Sequence, residues 1–169
     1  MDAEKPTIIF TTFWDAIRIK ESKGFLFENK VVQFEDNEIQ VLSIALVTPP
    51  NLKLKNIPTL DLFCPSWDIL KKYKKDKDWD SYTQSYTDML SERKAKIVSW
   101  LNSLSSNLYV LSCWENTING ANCHRKIVFD LLAGSKKVGK YANFIYRHGD
   151  KKENFVEQKF IETLNYIES

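Results

Sequence analysis

Short apolar runs alternate along the chain with segments in which apolar residues recur at helical spacing. Residues 6–10 (PTIIF) predict a strand, and the following TTFWDAIRIKESKG places Phe13, Ala16 and Ile17 on one helical face before a stop at Gly24. Residues 39–46 are mostly aliphatic and predict a buried strand. The run TLDLFC at 59–64 predicts another short strand, and Pro65 after it suits the first turn of a helix.

Helical spacing dominates the next segment, from residue 66 to residue 104, where Tyr82 and Tyr86 mark one apolar face. NLYVLSC at 107–113 then predicts a core strand, NCHRKIVFDLLAG at 122–134 a helix, and YANFIYRHG at 141–149 a further short strand. FVEQKFIETLNYIE at 155–168 predicts an amphipathic helix, and the residues expected on its inward face are Val156, Phe160, Leu164 and Ile167. Alternating strands and helices favour an α/β sandwich with a largely parallel sheet and helices on both faces.

Composition fits one globular domain over residues 1–169, with 43% hydrophobic residues and 13% aromatic residues. The net charge of +2 is nearly balanced and gives no global basic field that would indicate nucleic acid. No apolar run is long enough to span a bilayer, and the start of the chain lacks the pattern of a signal peptide. We therefore expect a cytoplasmic protein without a membrane partner, whose 3 cysteines are mostly reduced thiols.

The stretch SCWENTINGANCHRK at 112–126 carries two of those cysteines and one of the 2 histidines. In an open α/β sheet, sites collect where strands end and helices begin, so Cys113, Cys123 and His124 are expected to face one crevice. In one interpretation a cysteine is the nucleophile, and His124 or Glu115 transfers protons. In a second, Cys113, Cys123 and His124 bind zinc or iron, with Glu115 as a fourth group. In a third, Glu115 and Arg125 hold a polar ligand and the cysteines only pack.

A purely structural interpretation stands beside these three. His124 shares a helical stripe with Ile127, Val128 and Leu131, which is typical of a buried, hydrogen-bonded core histidine. Cysteine itself behaves as a small hydrophobe and is among the residues most often buried. The sequence leaves these alternatives open.

Two motifs in this chain resemble the domain-of-unknown-function 488 family. CWENTINGANCHRKIVFDLL is similar to that family's cysteine, aromatic, glutamate and Cys-His-Arg signature, and FCPSWDILKKYKKDKDWDSYTQSYTDML is similar to its Pro-Ser-Trp segment. TTFWDAIR resembles the family's opening strand-to-helix turn. The resemblance implies a Rossmann-like α/β domain in which the motifs lie near one another, and it implies little about activity. The positions that match the motifs are Trp67, Asp68, Tyr82, Cys113, Glu115, Cys123, His124 and Arg125.

The stretch from Lys71 to Lys77 carries five lysines interleaved with Tyr73 and followed by Trp79, a pattern that suits a phosphate backbone and equally a solvated helix end. We predict an enzyme or ligand-binding protein for a phosphate-bearing or heterocyclic small molecule, a nucleotide or nucleobase. The alternatives are a nucleic-acid- or protein-binding module using the lysines, and a metal-binding protein; no cofactor is assigned. The expected catalytic residues are Glu115, His124, Cys123 and Cys113, and the expected ligand-binding residues are Arg125, Trp114, Trp67 and Asp68.

Overall fold

A computed structural model describes residues 5–49, 56–115 and 117–168 of the chain. The first half contains β1 (Thr7–Thr12), α1 (Phe13–Ser22), β2 (Gly24–Phe27), β3 (Lys30–Gln33), β4 (Ile39–Ser43), α2 (Trp67–Asp76) and α3 (Trp79–Glu92). The second half contains α4 (Lys94–Asn102), β5 (Leu108–Cys113), α5 (His124–Ala133), β6 (Asn143–Tyr146) and α6 (Lys151–Glu168). Within the described residues the protein is therefore a mixed α/β fold of the Rossmann-like kind, as predicted.

The central sheet has the strand order β4-β5-β1-β6, and every neighbouring pair in it is parallel. Thr12 is paired with Cys113, Ser43 with Ser112, and Phe10 with Tyr146. Because the strands are parallel, their carboxyl ends meet at one edge, where α/β proteins collect their sites. Cys113 lies at this edge.

The two faces of the sheet carry separate apolar clusters, because side chains alternate along each strand. Ile9 and Val110 pack on the face covered by α1, and Phe10 and Leu111 pack on the face covered by the helices α3, α4 and α5. Tyr86 joins the second cluster and donates a hydrogen bond of 2.6 Å to the buried carbonyl of Phe63. The buried faces of α3 and α5 thus fix the helices that surround the strand end at Cys113.

One local prediction was wrong, and one pair of strands was not predicted. The segment 59–64 forms a 3₁₀ turn at Asp61–Phe63 instead of a strand, with a single bridge between Ser43 and Thr59. Its carbonyl groups accept hydrogen bonds from the guanidinium of Arg93 and from Tyr86, so they are unavailable to a neighbouring strand. The antiparallel hairpin β2–β3 had no prediction at all.

The inward face of α6 also differs from the prediction. Ile161 and Glu157 are buried, whereas Val156, Phe160 and Ile167 are exposed. The reason is electrostatic: Glu157 forms ion pairs with Arg18 and Arg147, and these contacts rotate the face that carries Glu157 toward α1 and the end of β6. An amphipathic pattern alone does not reveal a buried carboxylate with two arginine partners.

A buried ionic network joins α1, the end of β6 and α6. The fully buried carboxylate of Asp15 accepts hydrogen bonds from Arg147 at 2.7 and 3.1 Å and from Arg18 at 3.1 Å. Burial raises the pKa of Asp15, but the charge and hydrogen bonds of Arg147, with Arg18 and Thr11, outweigh burial and lower it below 3.8. The network therefore depends on an ionised Asp15.

The lowered pKa predicts a loss of stability in acid. A carboxyl whose pKa is depressed on folding stabilises the fold above its unfolded pKa and loses that contribution as pH falls through the folded pKa. We expect the melting temperature to fall as pH drops from about 5 toward and below the folded pKa of Asp15. Calorimetric scans across this pH range measure the melting temperature. Its fall with decreasing pH should be smaller in Asp15→Asn than in the unaltered protein. An unchanged slope in that variant would contradict the assignment.

None of the described helices combines the length and the apolarity needed to cross a membrane.

Candidate functional site

The cysteine and histidine side chains of the 112–126 stretch meet at the carboxyl edge of the sheet. Cys113 is the last residue of β5, Cys123 is the residue that precedes α5, and His124 is the first residue of that helix. All three are buried, and their ligand atoms lie within 4.8 Å of one another. The sequence prediction that these groups face one crevice is consistent with this placement.

A backbone carbonyl orients the imidazole ring of His124. Its Nε2 atom lies 2.6 Å from the carbonyl oxygen of Ile44, just beyond β4. Because a carbonyl only accepts hydrogen bonds, Nε2 must carry a proton and donate it. The other ring nitrogen, Nδ1, lies 3.6 Å from the thiol of Cys113. Tyr86, a fully buried member of the apolar core, packs edge-on against the ring.

The two thiols have opposite pKa shifts. The hydrogen bond from Cys113 lowers the pKa of Cys123 well below 9.0, and His124 and Arg125 add to this effect against the cost of burial. Burial raises the pKa of Cys113, and its hydrogen bond to Cys123 raises it further. The pair thus favours a single thiolate on Cys123. The third cysteine, Cys64, lies elsewhere, and burial followed by Asp61 raises its pKa to about 12.

The cluster forms the floor of a cavity of about 420 Å³. One wall is aromatic: the rings of Trp79 and Tyr82 stack with centroids 4.7 Å apart, and Tyr73 packs edge-on against both. Lys74 and Glu115 also line the cavity and are exposed. The cavity therefore combines a flat apolar wall, a floor of thiols and imidazole, and one charged group of each sign.

Trp114 also lines the cavity. Its indole Nε1 donates a hydrogen bond of 2.6 Å to the carbonyl of Val47, which ties the loop after β5 to the segment after β4. Its ring also packs edge-on against Phe13 and lies beside Trp14 in α1. The predicted ligand-binding residue Trp114 thus lies in the cavity wall.

Arg125 has a different position from the one that ligand binding requires. Its side chain is fully buried and lies outside the cavity lining. The guanidinium donates to the carbonyl of Glu115 and, at 2.9 and 3.3 Å, to those of His148 and Arg147, and it lies over the ring of Tyr146. It joins the loop after β5 to the loop after β6, because a planar fork of donors can reach several carbonyls at once. This geometry suits a residue that positions the loop, and the sequence had no signal for it.

Trp67 and Asp68 lie at the start of α2, and both are exposed and outside the cavity lining. Ser66 caps that helix, and Asp68 lies in its first turn, where a carboxylate complements the helix dipole. Of the eight predicted site residues, the structure thus brings together Cys113, Trp114, Glu115, Cys123 and His124. It leaves Trp67, Asp68 and Arg125 outside the cavity.

Sequence reasoning missed Tyr73 and Trp79 as part of the site, although Tyr82 was among the positions that match the family motifs. Tyr73 and Trp79 belong to the stretch interpreted as a nucleic-acid contact or a solvated helix end, whereas they line the cavity together with Tyr82. The spacing of Tyr82 and Tyr86 on one helical face was the available signal, because it indicates the face of α3 that packs inward. The carbonyl of Ile44 that orients His124 had no signal in the side-chain pattern.

Residues 53–136 match a family model described as DUF488-N3a, the active DUF488-N3 subclade. The chain belongs to the DUF488 family. This match spans both motifs on which the resemblance depended, and it covers the aromatic wall and the thiol and imidazole floor of the cavity. Neither the curated proteins nor the solved structures gave a significant match. The family assignment names a group of unknown function and leaves the chemistry to be argued from the site.

Proposed function

We propose that this DUF488 protein is an enzyme or ligand-binding protein for a phosphate-bearing or heterocyclic small molecule, a nucleotide or nucleobase. The observation that carries the proposal is the cavity of about 420 Å³ with a stacked aromatic wall beside a floor of two thiols and an imidazole. Cavities of this size hold drug-sized ligands, and a few convergent polar groups in an apolar lining set the orientation.

The aromatic wall supports a planar ligand. Trp79 and Tyr82 are nearly parallel, with an angle of 12° between their rings, so a heterocycle can extend the stack into the cavity. Stacking of a base on an aromatic side chain contributes about 1–3 kcal/mol and tolerates different bases. The wall therefore favours the heterocyclic part of the ligand without selecting one base.

The charged groups supply orientation. Lys74 is at the cavity edge without a hydrogen bond or ion pair inside the described part of the chain, which suits a phosphate group. Glu115 enters the same cavity from the loop after β5 and is also exposed, so its carboxylate is available for proton transfer. The ligand would thus lie with its ring on Trp79, its anionic group toward Lys74 and its reacting part toward the floor.

Titration calorimetry with adenosine and uridine 5′-monophosphates, the free bases and ribose 5-phosphate tests this proposal. We expect a monophosphate that carries a base to bind, and Trp79→Ala to weaken its binding by about 5- to 150-fold, the loss that corresponds to one stacked base. Lys74→Glu should weaken the binding of the monophosphates and leave the binding of the free bases unchanged. Lys75→Glu is the matched control, because Lys75 is exposed in the same helix and lies outside the cavity. Absence of binding by every compound would overturn the proposal.

Catalysis is tested separately on the compounds that bind. Product analysis by mass spectrometry should detect turnover by the unaltered protein and a loss of at least about 100-fold in Glu115→Gln, the range typical of a general acid or base. Binding with no turnover of any compound would assign a ligand-binding protein.

Exposed lysines in α2 and at the position directly after it favour one rival function. Lys71, Lys75 and Lys77 are exposed and outside the cavity, and they form a basic surface next to its edge. If this surface binds nucleic acid, an oligonucleotide should bind with a steep salt dependence, and reversing these three charges should abolish binding. In that case Lys75→Glu would weaken binding as much as Lys74→Glu, which is the opposite of the result expected for the cavity.

A further inference from the structure

We propose that Cys113, Cys123 and His124 form a zinc site at the floor of the cavity, with one coordination position open to the ligand. The proposal concerns the same cavity as the proposed function, but it rests on the floor alone and is tested without a ligand. In this proposal the two cysteines are ligands of a metal that assists the reaction, and neither cysteine is itself the nucleophile.

The donor set matches zinc in type and number. Two thiolates and one imidazole are ligands that zinc prefers, and three protein ligands with a fourth position open are typical of a catalytic zinc site. The two positive charges of Zn²⁺ balance the two thiolates, so the metal-bound floor is neutral, and any proton still on a thiol leaves to solvent when the metal binds. The three donors are buried, and their ligand atoms lie within 4.8 Å of one another.

The orientation of His124 supplies the second observation. In zinc proteins a ligating histidine almost always donates its other ring N–H to a carbonyl or carboxylate, which fixes the tautomer. Here Nε2 donates to the carbonyl of Ile44 at 2.6 Å, so Nδ1 is the nitrogen left for a metal. That carbonyl belongs to the residue just beyond β4, so the sheet edge itself holds the ring.

The separation of the donors fits one ion. With Zn–S near 2.3 Å and Zn–N near 2.0–2.1 Å, a tetrahedral site sets sulfur and nitrogen about 3.6 Å apart. The thiol of Cys113 is 3.6 Å from Nδ1 of His124. It is also 3.9 Å from Nε2, so Sγ lies beside the ring, and loading includes a rotation of the cysteine side chain toward the Nδ1 lone pair.

The open position faces the cavity, because all three donors line it. Such an ion would make its bound water more acidic than bulk water and would so supply a nucleophile, and Glu115, which also lines the cavity, would be placed to accept a proton. The substrates implied are heterocycles or phosphate esters that react with water at an electrophilic carbon or phosphorus. Trp79 and Lys74 would hold such a substrate above the floor.

Elemental analysis and cobalt spectroscopy on the reduced full-length protein test the site. After incubation with zinc and dialysis, we expect about one zinc ion per chain. Substitution with Co²⁺ should give thiolate-to-cobalt charge-transfer absorption in the near ultraviolet. Cys113→Ser, Cys123→Ser and His124→Asn should each weaken zinc binding by more than about 100-fold, since even changes behind the ligands cost roughly 10- to 100-fold.

Cys64→Ser is the matched control, because Cys64 is the third buried cysteine and lies outside the cluster. It should retain the zinc and the full cobalt spectrum. Circular dichroism checks whether each variant is folded. If a variant does not fold, the cobalt spectrum of the unaltered protein still shows whether thiolates bind the metal. A reduced, folded wild-type protein that takes up neither metal overturns the site, as does loss of metal in Cys64→Ser alone. Failure of nucleotide binding with zinc retained would reject the proposed ligand and leave the zinc site standing.

Discussion

Asp15→Asn should lower the free energy of unfolding by about 3–5 kcal/mol, the range typical of a broken buried ion pair. The carboxylate is fully buried and receives Arg147 at 2.7 Å and Arg18 at 3.1 Å. The amide of asparagine keeps the shape of the side chain but loses the charge. Two guanidinium groups, which are 9% and 14% exposed, would then lose one of the two carboxylates that pair with both of them, and Glu157 would remain. The variant should therefore be much less stable at neutral pH.

Asp36→Asn provides the matched control. Asp36 pairs with Lys20 at 3.3 Å, but Asp36 is exposed and Lys20 is partly exposed, so the pair contributes about 0–1 kcal/mol. Urea unfolding of the two variants compares the buried acid with the exposed one in the same protein. A loss below about 1 kcal/mol in Asp15→Asn would show that desolvation of the network cancels its attraction, as it does in some buried ion pairs.

This network also shows why part of the fold was beyond the sequence. The strands and helices near the site follow local patterns, and β5 and α5 lie where the apolar spacing predicted them. The face of α6 is different, because a non-local attraction between Glu157 and the two arginines decides which side packs inward. A hydrophobic pattern predicts which apolar residues are buried, but it does not predict that a carboxylate is buried beside cations from distant parts of the chain.

The site was predictable to the same limited degree. A strand ending at Cys113 and a helix beginning at His124 suffice to place both groups at one edge of the sheet. The partners of each group depend on elements far away in the chain: the carbonyl of Ile44 orients His124, and Tyr82 comes from α3. Arg125 is the clearest example, because a surface arginine and a buried one have the same local sequence signal.

Arg125→Met should lower the free energy of unfolding by about 3 kcal/mol and loosen the loop that carries Glu115. Hydrogen bonds to a charged donor contribute about 1.5–3 kcal/mol each, and the guanidinium makes them to three carbonyls. Relief from burying a charge offsets part of this loss. Arg125→Lys should recover little, because a single ammonium group cannot reproduce a planar fork.

Lys126→Met is the control for this change, since Lys126 is exposed in the next position and pairs with Asp130 at 2.9 Å, a contact of about 0.3–0.5 kcal/mol. Hydrogen exchange should detect the loosening of the loops. The amides of residues 117–122 and 147–149 should exchange faster in Arg125→Met and at an unchanged rate in Lys126→Met. Unaltered exchange in both loops would contradict the positioning role of Arg125. The amides of β5 and β6 should stay protected, because these strands are held by the parallel sheet. Faster exchange in the two loops alone would show that Arg125 acts on the site through the loops that it joins.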